Sequence, residues 1–215
     1  MTNEVVIFDA FGTLFNLDTT LLKDIGHSKK NEILAYTREK QLSYTWLFSL
    51  MKTYESFEDV TYRALKDALK KFDAPKSLLE EFASLYMKPV VFDDVQDCLN
   101  TLVANDKKTG ILSNGTKHML ATGIKHNNLE PLIQHVFSVE DVSIFKPDPM
   151  VYNMVTTQLD KMPSDITFVS SNQWDVAGAN AFGFQTIWVN RAGLFRESII
   201  RDEGILEVSS LLEIK

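Results

Sequence analysis

Short apolar runs alternate with helical patterns over most of the chain. Residues 5–8 are a continuous, β-rich apolar run, which predicts a strand buried on both faces of a sheet. Similar runs predict further strands, and segments with apolar residues every three or four positions predict the helices between them. The predicted strands are residues 109–113, 136–139, 166–170 and 186–189, and the predicted helices are residues 95–105, 117–127, 149–159 and 175–182.

Strands that alternate with helices predict a doubly wound parallel sheet with helices on both faces, a Rossmann-like α/β fold. Directly after the first strand the pattern is helical instead, over residues 28–54, 57–72 and 77–87. We therefore expect a core domain of residues 1–15 and 90–215, and a helical cap domain of residues 16–89 inserted after the first strand.

Composition narrows the class of partner. The chain has 215 residues and a formal net charge of −7, which argues against nucleic acid or an anionic membrane as a partner. A single cysteine, Cys98, excludes an internal disulfide framework and fits a reducing compartment. The sequence shows no secretory signal and no apolar stretch of roughly 20 residues. We expect a cytoplasmic protein.

Polar side chains follow the predicted strands. In doubly wound sheets, ligands bind outside the carboxyl ends of the strands. Each of these side chains alone fits a turn or a helix cap. Together they predict one site that contains carboxylates, hydroxyls, amides and an ammonium group. The candidates are Asp9, Ser113, Asn114, Lys146, Ser170, Ser171, Asn172 and Asp175.

These segments, in this order, resemble the four motifs of the haloacid dehalogenase superfamily, and more narrowly the L-2-haloacid dehalogenases. The matching segments are residues 9–15 (DAFGTLF), 112–115 (LSNG), 146–148 (KPD) with Tyr152, and 170–175 (SSNQWD). Residues 38–47 (REKQLSYTWL) are similar to the cap of that subfamily. The resemblance implies hydrolytic dehalogenation of short-chain (S)-2-haloacids to (R)-2-hydroxy acids, with inversion, without metal or other cofactor, by a homodimer.

Most members of this superfamily are magnesium-dependent phosphatases. Phosphoryl transfer from a dianion needs a cation, and the leaving alkoxide needs an acid. This chain has Phe11 where that acid is expected and Ser171 where a further acid is expected after the fourth strand. A halide leaves without protonation, so both residues favour dehalogenation. A small-molecule phosphatase and a catalytically inactive binding relative remain the alternatives.

The resemblance also implies roles. Asp9 attacks the halogen-bearing carbon, Arg38 and Asn114 receive the halide, and Asp175 orients or deprotonates the hydrolytic water. Lys146 keeps Asp9 ionised. Of the remaining positions, Thr13, Ser113 and Ser170 hold carboxylate oxygens of Asp9 or of the substrate, Asn172 and Tyr152 support Lys146 and the nucleophile, and Phe11, Leu42, Phe57 and Trp174 form an apolar wall around the substrate.

Two positions depart from the subfamily's commonest pattern. Phe11 stands where tyrosine is frequent, and Glu39 stands where glutamine is more usual. Glu39 could pair with Arg38 or repel an anionic substrate, and Arg38 itself could belong to a solvated helix face. The histidines show no metal-ligand spacing, and no metal site is predicted; they are His27, His118, His126 and His135.

Overall fold

The computed structural model describes residues 4–22, 30–200 and 204–215. Within these residues there are eight strands and seven α-helices. The strands are β1 (Val5–Phe8), β2 (Phe15–Asn16), β3 (Val90–Val91), β4 (Lys108–Ser113), β5 (His135–Ser138), β6 (Ile166–Ser170), β7 (Gln185–Val189) and β8 (Ile205–Val208). The helices are α1 (Lys30–Met51), α2 (Phe57–Lys71), α3 (Leu79–Met87), α4 (Val95–Ala104), α5 (Lys117–His126), α6 (Pro149–Leu159) and α7 (Gln173–Phe182).

Six strands form one sheet in the order β5-β4-β1-β6-β7-β8, and every neighbouring pair is parallel. This confirms the predicted α/β fold. Strand β1 lies between β4 and β6, with Phe8 opposite Ile111 on one side and Val169 on the other. All four of its residues are buried, as its uninterrupted apolar run predicts.

The strand order places a crevice at the end of β1. From β1 the chain builds outward through β4 and β5, then crosses to build β6, β7 and β8 on the other side. Right-handed crossovers in opposite directions put the connecting helices on opposite faces of the sheet. The loops after the adjacent strands β1 and β6 therefore diverge, and ligands bind at such a switch point. Asp9 follows β1 at this point.

Along the chain, helices α1, α2 and α3 come between β2 and β3, two short strands that pair antiparallel with each other. Helix α2 begins after Ser56, whose hydroxyl accepts a hydrogen bond from the Asp59 N–H, and ends in a turn that contains Lys70 and Lys71. Its apolar face packs against α1 and α3 and forms a hydrophobic cluster separate from that of the sheet. Fully or almost fully buried members include Ile33, Leu65, Leu69 and Phe82.

Some predicted boundaries differ from the structure. Helix α1 ends at Met51 rather than at residue 54, and Ser28, where it was predicted to begin, lies outside the described residues. Helix α7 begins at Gln173, so Asp175 lies inside its first turn. Strand β8 was not predicted, because the middle two of its four residues are exposed. No helix among the described residues is long and apolar enough to cross a membrane.

Candidate active site

Asp9 lies at the carboxyl end of β1 and is almost completely buried. Its backbone N–H donates to the Val169 carbonyl oxygen over 2.9 Å, which extends the pairing with β6 by one residue. Its Oδ2 atom accepts hydrogen bonds from Thr13 Oγ1 at 3.0 Å and Asn172 Nδ2 at 2.8 Å. Its Oδ1 atom faces Lys146 Nζ at 3.1 Å. Donors from three segments therefore fix the carboxylate plane.

A tight turn after Asp9 presents Thr13. The N–H groups of residues 13–15 all donate to the Ala10 carbonyl oxygen, over 2.9 to 3.2 Å. Gly12 adopts φ +93°, a conformation that residues with a side chain rarely adopt. The turn therefore returns the chain towards the sheet, so that the Thr13 hydroxyl reaches the carboxylate four residues before it.

Ser171 completes the contacts of Thr13. The Ser171 N–H donates to Thr13 Oγ1 over 2.9 Å, and the Ser171 hydroxyl donates to the Gly12 carbonyl oxygen over 2.7 Å. Because the Asp9 carboxylate can only accept a hydrogen bond and the Ser171 N–H can only donate one, the threonine proton points to Asp9. Ser171 thus takes a structural position at the place where a phosphatase was expected to carry an acid.

Behind Asp9 lies a buried ionic chain. Lys146 Nζ also lies 2.8 Å from Asp175 Oδ2, and the Tyr152 hydroxyl donates to Asp175 Oδ1 over 2.8 Å. Both oxygens of Asp175 are therefore occupied, and its side chain is fully buried. Tyr152 was predicted to support Lys146 and Asp9. Its hydroxyl contacts Asp175, the carboxylate that pairs with Lys146, so any support of Lys146 and Asp9 passes through Asp175.

The pKa values follow from this burial. Burial raises the pKa of Asp175 to about 6, and the Asp9 charge adds to the rise while Lys146 opposes it. Burial alone would lower the pKa of Lys146, but the two carboxylates outweigh it and the pKa is raised. Burial and the Asp175 charge hold the pKa of Tyr152 well above its usual value. Tyr152 is thus a neutral hydrogen-bond donor and Lys146 a cation.

Arg38 reaches the site from α1. Its Nη2 atom lies 3.4 Å from the Phe11 carbonyl oxygen, and it pairs with no carboxylate among the described residues. Glu39 instead lies two-thirds exposed and pairs with Lys40 at 3.2 Å. Arg38 is therefore not part of a solvated, ion-paired face, and Glu39 neither neutralises it nor enters the site.

A small cavity, partly open to solvent, lies between the helices and the sheet. It brings together all seven residues predicted to bind substrate, together with Asp9 and Asn172 of the predicted catalytic set. The other predicted catalytic residues, Thr13, Lys146, Tyr152, Ser170 and Asp175, do not line it. The lining residues are Asp9, Phe11, Arg38, Gln41, Leu42, Phe57, Ser113, Asn114, Asn172 and Trp174.

Aromatic rings form much of the cavity wall. The Phe11 and Phe57 ring centroids are 6.2 Å apart. Trp174 from α7 meets Trp46 from α1 edge to face, with centroids 5.9 Å apart and planes at 80°. One side of the cavity is therefore apolar and is built from both the helical segment and the sheet domain.

Two of the predicted hydroxyls, those of Ser113 and Ser170, make hydrogen bonds within the loops that follow their strands. Ser113 Oγ accepts from the Gly115 N–H at 3.0 Å, and Ser170 Oγ accepts from the Asn172 N–H at 3.1 Å. Both therefore order the loops after their strands, and among the described contacts neither binds Asp9. Of the three hydroxyls predicted to hold carboxylate oxygens, only that of Thr13 contacts the nucleophile candidate. Ser113 still lines the cavity.

Asn114 presents donors to the cavity. Its Oδ1 atom accepts a hydrogen bond from the Lys146 backbone N–H at 3.0 Å. The remaining capacity of the side chain is then its two amide N–H donors. Arg38 and Asn114 thus supply N–H groups to the cavity from the helical segment and from the end of β4.

Gln41 lines the cavity but was not predicted to bind substrate. Its Nε2 donates to Thr61 Oγ1 over 2.7 Å, and its Oε1 accepts from the Tyr86 hydroxyl over 3.0 Å. The available signal was its position three residues after Arg38, which places both on one helix face. Gln41 is the polar group that joins α1 to α2 and α3 beside the cavity.

No group of three or more His, Cys, Asp and Glu side chains in the described part of the chain could hold a metal ion. Of the four histidines, His27 lies outside the described residues. His135 precedes the buried part of β5, where burial lowers its pKa. The acidic side chains at the site contact Lys146 and neutral donors instead.

Comparison with known proteins points to one family. The family model described as haloacid dehalogenase-like hydrolase matches residues 6–189. The (S)-2-haloacid dehalogenase 1 of Pseudomonas sp. (strain CBS-3) is 39% identical over 194 residues, or 86% of this chain and 83% of that protein. The (S)-2-haloacid dehalogenase of Pseudomonas sp. (strain YL) is 36% identical over 192 residues, or 87% and 83%. A solved structure of L-2-haloacid dehalogenase from Xanthobacter autotrophicus, with chloropropionic acid covalently bound, has a TM-score of 0.88 at 30% identity, covering 97% of this chain and 95% of that one.

Proposed function

The chain belongs to the haloacid dehalogenase-like hydrolases, and we propose that it hydrolyses the carbon–halogen bond of short-chain (S)-2-haloacids. The product is the (R)-2-hydroxy acid. The relatives named above carry (S)-2-haloacid or L-2-haloacid dehalogenase as their names. The observation that carries the proposal is a cavity that holds a fixed carboxylate, Asp9, a guanidinium with no ion pair among the described residues, Arg38, and the amide N–H donors of Asn114, all beside an apolar wall.

In the first step an oxygen of Asp9 attacks C2 of the substrate on the side opposite the halogen. The new C–O bond forms as the carbon–halogen bond breaks, the halide leaves with the bonding electrons, and C2 is inverted. The three hydrogen bonds to the Asp9 carboxylate support this step, because they hold the nucleophile in one orientation. The result is an ester between Asp9 and the 2-carbon of the acid.

The departing halide needs hydrogen-bond donors and positive charge rather than a proton. Arg38 supplies a guanidinium whose charge no described carboxylate neutralises, and Asn114 supplies amide N–H groups. Fixed donors aimed at a position where negative charge develops lower the barrier, since they need not reorganise during the reaction. Leu42, Phe57 and Trp174 would enclose the alkyl group and exclude bulk water from the first displacement.

In the second step water attacks the carbonyl carbon of the Asp9 ester. The C–O bond between the carbonyl carbon and the departing hydroxy acid breaks, so the product hydroxyl keeps an original Asp9 oxygen. The water oxygen becomes part of the restored carboxylate; one water proton goes to the oxygen of the departing hydroxy acid, and the other is released. We assign the released proton to Asp175 by way of Lys146, because Asp175 does not line the cavity and reaches Asp9 only through the Lys146 ammonium, while its raised pKa suits it to accept a proton.

The phosphatase alternative lacks supporting acids. The Phe11 ring lies in the cavity wall. The hydroxyl and the N–H of Ser171 both donate hydrogen bonds to the turn after Asp9. The test compares chloride release from racemic 2-chloropropionate with phosphate release from a simple phosphomonoester in the presence of magnesium. We expect chloride release alone; phosphate release alone would support the alternative.

Three broader proposals accompany this function. Residues 16–89 act as a cap over residues 1–15 and 90–215, supported by a cavity lined from both parts. The protein works in the cytoplasm, supported by its single, buried cysteine.

It forms a homodimer, supported by exposed apolar side chains at the end of α1, namely Trp46, Leu47, Leu50 and Met51. Sedimentation equilibrium distinguishes a dimer of this chain from a monomer.

A further inference from the structure

We propose that Arg191, held by Asp94, is a positioning residue for the reaction. It fixes the backbone of Thr13 and thereby the hydrogen bond that Thr13 donates to Asp9. Arg191 does not line the cavity, so it acts through Thr13 and not on the substrate. The inference rests on the proposed function, because it concerns the nucleophile of that reaction.

Arg191 lies in the loop after β7, and hydrogen bonds within that loop hold its backbone in place. Asn190 Nδ2 donates to the Leu194 carbonyl oxygen at 3.0 Å, and its Oδ1 accepts from the Leu194 N–H at 2.7 Å. Gly193, with φ +61°, closes this loop and its N–H donates to the Asn190 carbonyl oxygen. Asn190 itself pairs with Val208 of β8 through its N–H. The segment that carries Arg191 is therefore ordered by its own hydrogen bonds.

The Arg191 guanidinium makes three hydrogen bonds. Nε donates to Asp94 Oδ2 over 3.0 Å and Nη2 donates to Asp94 Oδ1 over 2.8 Å, a bidentate pair. Nη2 also donates to the Thr13 carbonyl oxygen over 3.0 Å. The guanidinium carbon lies 4.2 Å from the centroid of the Phe92 ring. A planar guanidinium held on its carboxylate and ring contacts offers the N–H to Thr13 in one fixed direction.

The adjoining carbonyl is held from the same side. The Phe92 N–H donates to the Leu14 carbonyl oxygen over 3.1 Å. Consecutive carbonyl groups of the turn are therefore tied to residues near the start of α4 and the end of β7. Because the Thr13 hydroxyl is one rotatable bond from this backbone, a displacement of the backbone moves its hydrogen bond to Asp9.

Asp94, the ion-pair partner of Arg191, is also held by the C-terminal segment. Its Oδ2 also accepts from the Ser210 hydroxyl at 3.1 Å and from the Leu211 N–H at 2.9 Å. Burial raises the pKa of Asp94, but Arg191 and the two C-terminal donors outweigh it and the pKa is lowered. The Asp94–Arg191 pair is thus ionised at neutral pH, and it links the C-terminal segment to the turn after Asp9.

The first test uses Arg191→Lys. A lysine keeps the charge, but one ammonium cannot reproduce the fork to Asp94 together with the bond to Thr13. We expect kcat for chloride release to fall about 10- to 100-fold with KM changed less than about threefold, since positioning of the nucleophile is lost and the cavity wall is not. Arg191→Gln serves in its place if the lysine variant does not fold.

Ser210→Ala is the matched control. It removes one contact of Asp94 and leaves all three Arg191 hydrogen bonds in place. We expect it to lower the melting temperature while kcat of the folded protein stays at the wild-type value. If Arg191→Lys lowers the melting temperature but also keeps wild-type kcat, Arg191 has a structural role only and the inference is wrong.

The second test is a double-mutant cycle with Thr13→Ala, measured at high enzyme concentration so that slow turnover stays detectable. If Arg191 acts through the Thr13 hydroxyl, Arg191→Lys changes kcat less than about threefold in the Thr13→Ala background. Independent, multiplying effects would overturn the inference. Wild-type chloride release is measured first, and its absence would count against the proposed function rather than against Arg191.

Discussion

Asp175 contacts Asp9 only through Lys146, whose ammonium lies 2.8 Å from one carboxylate and 3.1 Å from the other. The two acids are therefore electrostatically linked without touching. Asp9 is almost completely buried at the cavity, and Asp175 is fully buried behind it. This arrangement separates the group that forms the ester from the group that we propose takes up the proton in the second step.

Asp175→Asn should stop the reaction at the ester. The amide cannot accept the proton of the hydrolytic water, whereas the attack by Asp9 does not need it. Intact-protein mass spectrometry after addition of 2-chloropropionate should show a stable adduct of one 1-carboxyethyl group. Asp160→Asn, at an exposed helix end, is the control and should show none. Normal turnover of the Asp175 variant would contradict the role.

The second step should require ionised Asp175. With the pKa of Asp175 raised to about 6 in the free enzyme, the ester should decay more slowly as the pH falls through and below about 6. Esterification removes the Asp9 charge, so the midpoint lies at or below that value. The measurement is the decay rate of pre-formed ester against pH.

Tyr152→Phe tests whether the pKa of Asp175 sets the pH dependence of the second step. The Tyr152 hydrogen bond lowers the pKa of Asp175, so its removal should move the midpoint of the decay profile to higher pH. The phenyl ring keeps the packing against Phe168 and Phe184. A midpoint that stays in place, or moves to lower pH, would show that a different group governs the second step.

Arg38→Ala should slow the first step. Loss of a donor at developing negative charge costs about 10²- to 10³-fold in rate. The free energy of unfolding should change by less than about 1 kcal/mol, because Arg38 has no ion pair among the described residues. Stopped-flow chloride release measures the first, and urea unfolding measures the second. Arg63→Ala, which breaks an exposed pair with Glu55, should leave the rate unchanged; equal rates in both variants would refute the halide role.

Gly178→Ala should loosen the contact between α6 and α7. A Cβ atom at Gly178 would lie 2.6 Å from Pro147 Cβ and 2.7 Å from the Tyr152 hydroxyl. We expect a loss of about 1–3 kcal/mol in the free energy of unfolding, because a well-packed contact must move. Chemical denaturation tests this against Ala181→Ser, an exposed change on the same helix. Wild-type stability of the Gly178 variant would show that the contact yields without cost.

The strand-end residues could be predicted because apolar runs locate the strands and a parallel sheet brings their carboxyl ends together. Asp9, Asn114 and Lys146 follow from that rule. The bond between Tyr152 and Asp175 could not be predicted, since it depends on how closely α6 approaches α7 at Gly178. The same holds for Arg191 and Asp94, which lie 97 residues apart and meet only through the packing of the loop after β7. The contacts of Gln41 could not be predicted either, because they depend on how helices α1, α2 and α3 pack together.

The most direct measurement is chloride release from the separate enantiomers of 2-chloropropionate, with EDTA present. We predict release from the S enantiomer alone, with R-lactate as the organic product, and no release by Asp9→Asn. That result requires a metal-independent displacement with inversion that depends on Asp9. Release from the R enantiomer, release only after magnesium is restored, or no release from either enantiomer would contradict it.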